Sequence, residues 1–179
     1  MNNSKVLVAT QDKALNKFGF IFCLGIVLLA PLLLTQSITG PAVNMALFLS
    51  AYIYGLKKES LTIALIPSIV ALSIGQLPIV LLPMVPFIVA GNIFLMYFFS
   101  ISFHKTNNYL LSVFTASVIK FFVLYLASQI LIILFANTLF TKFSIMMSWP
   151  QLASAIIGGL ASYSIVRFLN RPNRQLKKI

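Results

Sequence analysis

Lys120 stands in the stretch Thr115 to Gln129, TASVIKFFVLYLASQ, with about two turns or more of apolar sequence on each side. Other ionisable groups are few. The acids are Asp12 and Glu59, with a single histidine, His104, and a single cysteine, Cys23. Glu59 and His104 sit beside lysines and read as solvated loop residues. No acid falls inside an apolar stretch, which removes carboxylate-driven proton coupling and two-carboxylate catalysis. A serine nucleophile needs a nearby base, and no histidine lies within an apolar run. One cysteine excludes an internal disulfide and a cysteine-cluster metal site. Neither a P-loop nor a dinucleotide loop is present. The chain is therefore expected not to be an enzyme, and to hold no cofactor and no metal. The chemistry left is binding, by a side chain with one positive charge and three N–H donors.

What surrounds that lysine decides its role. The apolar run containing it extends from about Asn108 to Phe135, roughly 42 Å as a helix, and Lys120 is about 18 Å from its start. That is too central for its head to snorkel easily to an interface. A charge at mid-membrane costs roughly 2.5–3.5 kcal/mol on insertion scales, so such groups turn towards a cavity or a partner. At helical spacing its own face carries Tyr109, Val113, Ala116, Ser117, Leu124 and Ala127, mostly small or polar, whereas Phe121, Phe122 and Tyr125 point elsewhere. Two readings stay open: an ammonium facing a ligand, and one held by carbonyl oxygens of the protein. Asn92, in VAGNIF, falls at a similar depth and serves either as an interhelical hydrogen bond or as a ligand contact. Asn44 comes near the start of another helix, below a loop containing Gln36, Ser37 and Thr39. The positive end of that helix would favour an anion. Gln76, Trp149 and Gln151 complete the polar set at the same edge, Trp149 reading as an interfacial anchor. The candidate substrate-binding residues are Lys120, Asn92, Asn44, Gln36, Thr39 and Gln76.

Those residues need a bilayer around them. The 179 residues are 60% hydrophobic and only 8% charged, with mean hydropathy +1.00, against about 25% charged in soluble domains. Several runs reach the roughly 20 residues that cross a membrane. Hydropathy and breakers divide the chain into six spans near 18–35, 41–56, 60–74, 83–101, 108–135 and 149–169, an all-α membrane domain over 18–169. Thr39 is expected to cap the second, with Pro41 in its first turn. Residues 1–17 form a lead without a cleavable signal, and 170–179 a basic tail. Net charge is +11, and its placement speaks of topology, not of nucleic acid. With the N-terminus cytoplasmic, Lys5, Lys13, Lys17, Lys57, Lys58, Lys105, Arg167, Arg171, Arg174, Lys177 and Lys178 lie inside. Lys142 alone lies outside. Six spans with both termini cytoplasmic follow from that asymmetry. Fusing the third and fourth spans would put Lys105 and the tail outside.

The last span repeats small residues every fourth position, Ser154, Gly158 and Ser162, and Ala155 with Gly159. That spacing lets helices approach closely, within the chain or against another subunit.

Taken together, the basic lead, six spans in this length, TGPAVNMALFLSAYIYG, PMVPFIVAGN and SVIKFFVLY resemble the substrate-binding S components of energy-coupling factor (ECF) transporters. The likeness is closest to a branch with TGPxVN opening the second helix, VPFxxxGN in the fourth and a lysine in the fifth. The resemblance runs from about Phe18 to Leu169. It implies a six-helix S-component bundle in a bacterial cell membrane and a pocket near the outer side. It also implies a vitamin-like micronutrient as substrate, with a membrane T component and a pair of ATPases as partners. Where many S components have an alanine-x-x-x-alanine docking seam on the first helix, this chain has Gly19 with Cys23, then Gly25 and Ala30. The alternative is a structural or assembly membrane protein of the cell-shape, MreD-like kind, which has no need of a lysine in a cavity.

Overall fold

A computed structural model describes residues 3–77, 79–135, 145 and 147–169, except the side chains of 3–16, 36, 80, 135 and 169. Lys142 and the basic tail lie outside the described residues, as do the side chains of Lys5, Lys13 and Gln36. Among the described residues the chain is all helical and has no strand. Six α-helices follow in order: α1 (Asn3–Leu33), α2 (Gln36–Tyr54), α3 (Lys58–Ser73), α4 (Val85–Thr106), α5 (Tyr109–Phe135) and α6 (Trp149–Leu169). A 3-10 segment, Ile79–Met84, leads into α4. Among the described residues two stretches are long and apolar enough to cross a membrane, Leu81–Thr106 and Tyr109–Leu134, and Lys17–Leu33 is a shorter apolar one.

Punctuation in the sequence sets these limits. Gly55 ends α2 at φ 65°, its N–H bonding the Ala51 carbonyl, a left-handed position that costs glycine nothing. Asn107 does the same for α4 at φ 52°, as asparagine tolerates better than most residues. Its neighbour Asn108 opens α5, its Oδ1 accepting the Leu111 N–H at 3.1 Å. Pro86 falls in the first turn of α4, where a missing N–H removes no helical bond. One expectation fails here. The cap position of α2 is Thr35, not Thr39, and Pro41 lies more than a turn inside the helix. The Thr39 hydroxyl instead turns back on the carbonyls of Thr35 and Ala30, at 3.0 and 3.2 Å. A helix whose first four N–H groups need partners can start wherever the backbone turns, and here the turn after α1 comes early.

Successive helices run antiparallel, so the bundle has two ends. At one end, rings from four helices gather: Phe48 and Tyr52 of α2, Phe99 and Phe103 of α4, Tyr109 of α5 and Tyr163 of α6. Phe99 lies edge-on to Phe48 at 5.3 Å and to Tyr109 at 5.0 Å, within the range of favourable aromatic pairs. Tyr109 and Ser162 share a buried hydrogen bond of 2.6 Å. At the other end, Gln76 donates to the Leu34 carbonyl and to the Thr39 hydroxyl at 3.1 and 3.2 Å, tying the turn after α3 to the turn after α1.

The small residues of α6 are spent inside the chain. A Cβ on Gly158 would fall 2.6 Å from the Pro41 carbonyl and 2.7 Å from Asn44 Cβ. One on Gly159 would run into the Val113 side chain. Close approach of α6 to α2 and α5 is what these glycines permit. On α1, Gly19 abuts the Tyr54 hydroxyl, and Cys23 and Ala30 are buried. Three of the four residues considered for a docking seam therefore pack inward, and Gly25 alone of them faces open space.

Candidate solute-binding site

Each helix brings the Lys120 site a residue for a local reason. Lys120 is on the face of α5 that also carries Tyr109, Val113, Ala116, Ser117, Leu124 and Ala127, all buried, while Phe122 and Tyr125 are exposed. Opposite it, Gly91 of α4 has no side chain. A Cβ there would touch Leu124 and the Lys120 stem, at 3.3 and 3.6 Å. The lysine thus extends across a gap kept narrow by a glycine, and only 3% of it is accessible.

Its ammonium ends between two asparagines. Lys120 Nζ donates to Asn44 Oδ1 at 2.7 Å and to Asn92 Oδ1 at 2.8 Å. An ammonium accepts nothing, so both amides must present oxygen to it and turn nitrogen away. Each nitrogen then finds a fixed acceptor. Asn44 Nδ2 donates to Ser154 Oγ at 3.0 Å, and Asn92 Nδ2 to the Ala64 carbonyl at 3.1 Å. The result is a chain of hydrogen bonds from α6 through α2, α5 and α4 to α3. Asn44, Asn92 and Ser154 are held in one orientation by it, and so is the lysine head. Both bonds to Nζ are short for neutral partners, as charge-assisted bonds are.

A cavity of about 140 Å³ adjoins this group. Lys120, Asn44, Asn92, Thr39, Gln76 and Gln151 line it, together with Ser68 and apolar residues that include Pro31, Val43, Leu77 and Ile88. Two further features matter. No carboxylate lines it; Glu59, the one acid whose side chain is described, is exposed at the other end of α3. And the Ser68 hydroxyl, buried, has no hydrogen-bond partner. A helical serine commonly bonds the carbonyl four residues back, which for Ser68 is Ala64, and that oxygen already accepts Asn92.

Of the six residues singled out from sequence, the structure gathers five, Lys120, Asn92, Asn44, Thr39 and Gln76, around one cavity. The side chain of the sixth, Gln36, lies outside the described residues. Asn44 is more than two turns into α2, which begins at Gln36. The partial charge of a helix end fades within the first turn, so the helix end expected to assist an anion does not reach it. Trp149 is exposed, with Phe121 5.5 Å away. Sequence reasoning did not find Ser68 and Ser154. Ser154 was noticed as a small residue at helical spacing, and the depth of α6 opposite Asn44 was the only further signal. Among the described residues no group of histidine, cysteine and acidic side chains is placed to hold a metal. No family model, no curated protein and no solved structure matches the chain.

Proposed function

We propose that the chain is the substrate-binding S component of an ECF-type importer, a six-span protein of the bacterial cell membrane with both termini cytoplasmic. It takes a small anionic, vitamin-like micronutrient from outside. A T component and paired ATPases then drive its uptake. The observation that carries this reading is the Lys120 ammonium, oriented by Asn44 and Asn92 at the wall of a cavity that offers it no carboxylate. A charge buried at such cost without a counter-ion suits a site whose counter-ion arrives with the solute. A cell-shape or assembly subunit gains nothing from that arrangement. The distribution of charge supports the orientation. Among the described residues, Lys17, Lys57, Lys58, Lys105 and Arg167 are all exposed and all lie towards the ring end. The cavity is towards the other.

Reconstitution tests the proposal. In proteoliposomes, the chain with T component and ATPases should accumulate the solute that co-purifies with it, on addition of ATP. The chain alone should bind that solute and not concentrate it, having neither a nucleotide-binding motif nor an intramembrane carboxylate. Concentrative uptake by the chain alone, or failure to associate with the module, would remove the assignment.

A further inference from the structure

We infer that the solute is a compact monocarboxylate without a cationic group of its own, its carboxylate on Lys120 and Ser68 and its body against Pro31, Val43, Leu77 and Ile88. This rests on the solute-binding reading above and narrows it. Three counts lead there, of donors, of charge and of space.

Donors come first. An ammonium has three N–H groups, and Asn44 and Asn92 take two of them. One is left. The Ser68 hydroxyl lines the same cavity without a partner, because Asn92 occupies the carbonyl it would otherwise use. Two donors lining one cavity suit the two oxygens of a carboxylate. The Thr39 hydroxyl is already engaged with backbone carbonyls and with Gln76.

Charge comes next. The cavity carries one positive group and no negative one among its lining residues. A monoanion makes the site neutral. A phosphate monoester dianion would leave one negative charge unpaired in a low-dielectric surrounding, and burial of an unpaired charge is what proteins avoid. A zwitterion fails for the opposite reason: its ammonium would share the cavity with Lys120, and Gln76 and Gln151 are the only uncharged amides left to receive it.

Space sets the size. The cavity is about 140 Å³, close to the roughly 150 Å³ of an engineered apolar cavity that holds benzene. A six-carbon body fits, in a ring or a short branched chain. Pro31, Val43, Leu77 and Ile88 give that body apolar surface to rest on.

The test uses the full chain in nanodiscs with benzoate, hexanoate, benzamide and phenyl phosphate, read by calorimetry and thermal melting. Benzoate or hexanoate should bind and raise the melting temperature. Benzamide, of the same shape and uncharged, and phenyl phosphate should bind at least about tenfold more weakly. Lys120→Met should weaken carboxylate binding by about 100-fold or more. Because that variant could also disturb packing, Asn92→Asp provides a second arm. It gives Lys120 an internal carboxylate at the cost of the hydrogen bond to the Ala64 carbonyl, so the variant should still melt cooperatively and yet lose benzoate binding. Ser68→Ala should weaken benzoate about fivefold, the worth of one hydrogen bond. The inference is overturned if benzamide or phenyl phosphate binds as tightly as benzoate, if neither monocarboxylate binds, or if Asn92→Asp keeps its affinity. ATP-driven uptake of a neutral or dianionic solute would sink this inference and leave the importer standing. Carboxylate-selective binding without uptake by the full module would do the reverse.

Discussion

The two ends of the bundle are filled in opposite ways. At the ring end, Phe99 lies edge-on to Phe48 and Tyr109 and stacks on Phe103, and Tyr109 shares a buried hydrogen bond with Ser162. At the lysine end, a chain of hydrogen bonds from Ser154 to Ala64 borders a cavity of about 140 Å³ that no described side chain fills. Rings that interlock leave little freedom of position, because a shift of any one opens a gap against several others. A polar chain fixes orientation at a few points and tolerates a void between them. The comparison teaches where each property resides: the ring end holds the helices in register, and that register lets the lysine end remain open without collapsing.

Breaking the seam between α2 and α6 should have the largest effect, since both ends depend on it. Gly158→Ala places a methyl group 2.6 Å from the Pro41 carbonyl oxygen and 2.8 Å from the Met45 nitrogen. Backbone atoms cannot step aside, so α6 must move away, carrying Ser154 from Asn44. Overpacking of this kind costs about 1–3 kcal/mol and occasionally more, and here the upper end is expected. Melting in detergent should show a strongly destabilised protein, and carboxylate binding should vanish with it.

Phe99→Ala separates the two ends. The cost of removing a core ring is about 3–5 kcal/mol in water-soluble proteins. For a bundle placed in lipid, as proposed, the low end of about 3 kcal/mol is expected, because lipid withholds the transfer contribution and only packing is lost. In molecules that stay folded at low temperature, affinity for the solute should be unchanged. Equal losses of stability and affinity would show that the ends are not separate.

The smallest change sharpens the lysine end alone. Ser154→Ala removes the acceptor of Asn44 Nδ2 and leaves the rings untouched. One hydrogen bond is worth about 1 kcal/mol, so affinity should fall about fivefold with little change in melting temperature. A drop in stability with no change in affinity would make Ser154 a packing residue only.

Much of the candidate site was legible in the chain. Lys120 was conspicuous because a charge inside an apolar run is costly and rare, and Asn92 joined it through depth, which follows from a rise of about 1.5 Å per residue. Helical spacing also gave the buried face of α5, since period and direction are properties of a single helix. The start of α6 at Trp149 coincides with the expected one, because Pro150 suits the first turn of a helix. The start of α2 was not so constrained. Thr39 and Pro41 are both acceptable at a helix start, and the choice of Thr35 depends on where α1 stops and how its last carbonyls are met.

What the sequence determined by itself is local: which runs are apolar helix, which residues break them, which face of each is polar, and that one lysine must find a partner. Only the tertiary structure decided who that partner is. The glycines of α6 could have served another subunit or this one, and it is the position of Pro41, Asn44 and Val113 that commits them to this chain. Along the sequence, Lys120 could be held by carbonyls or face a ligand. In three dimensions two asparagine carbonyls take two donors of an ammonium that has three, and that ammonium also borders a cavity. Ser68 was silent for the same reason. Its hydroxyl is unpartnered because a side chain 24 positions away takes the carbonyl beneath it, a competition that no local pattern records.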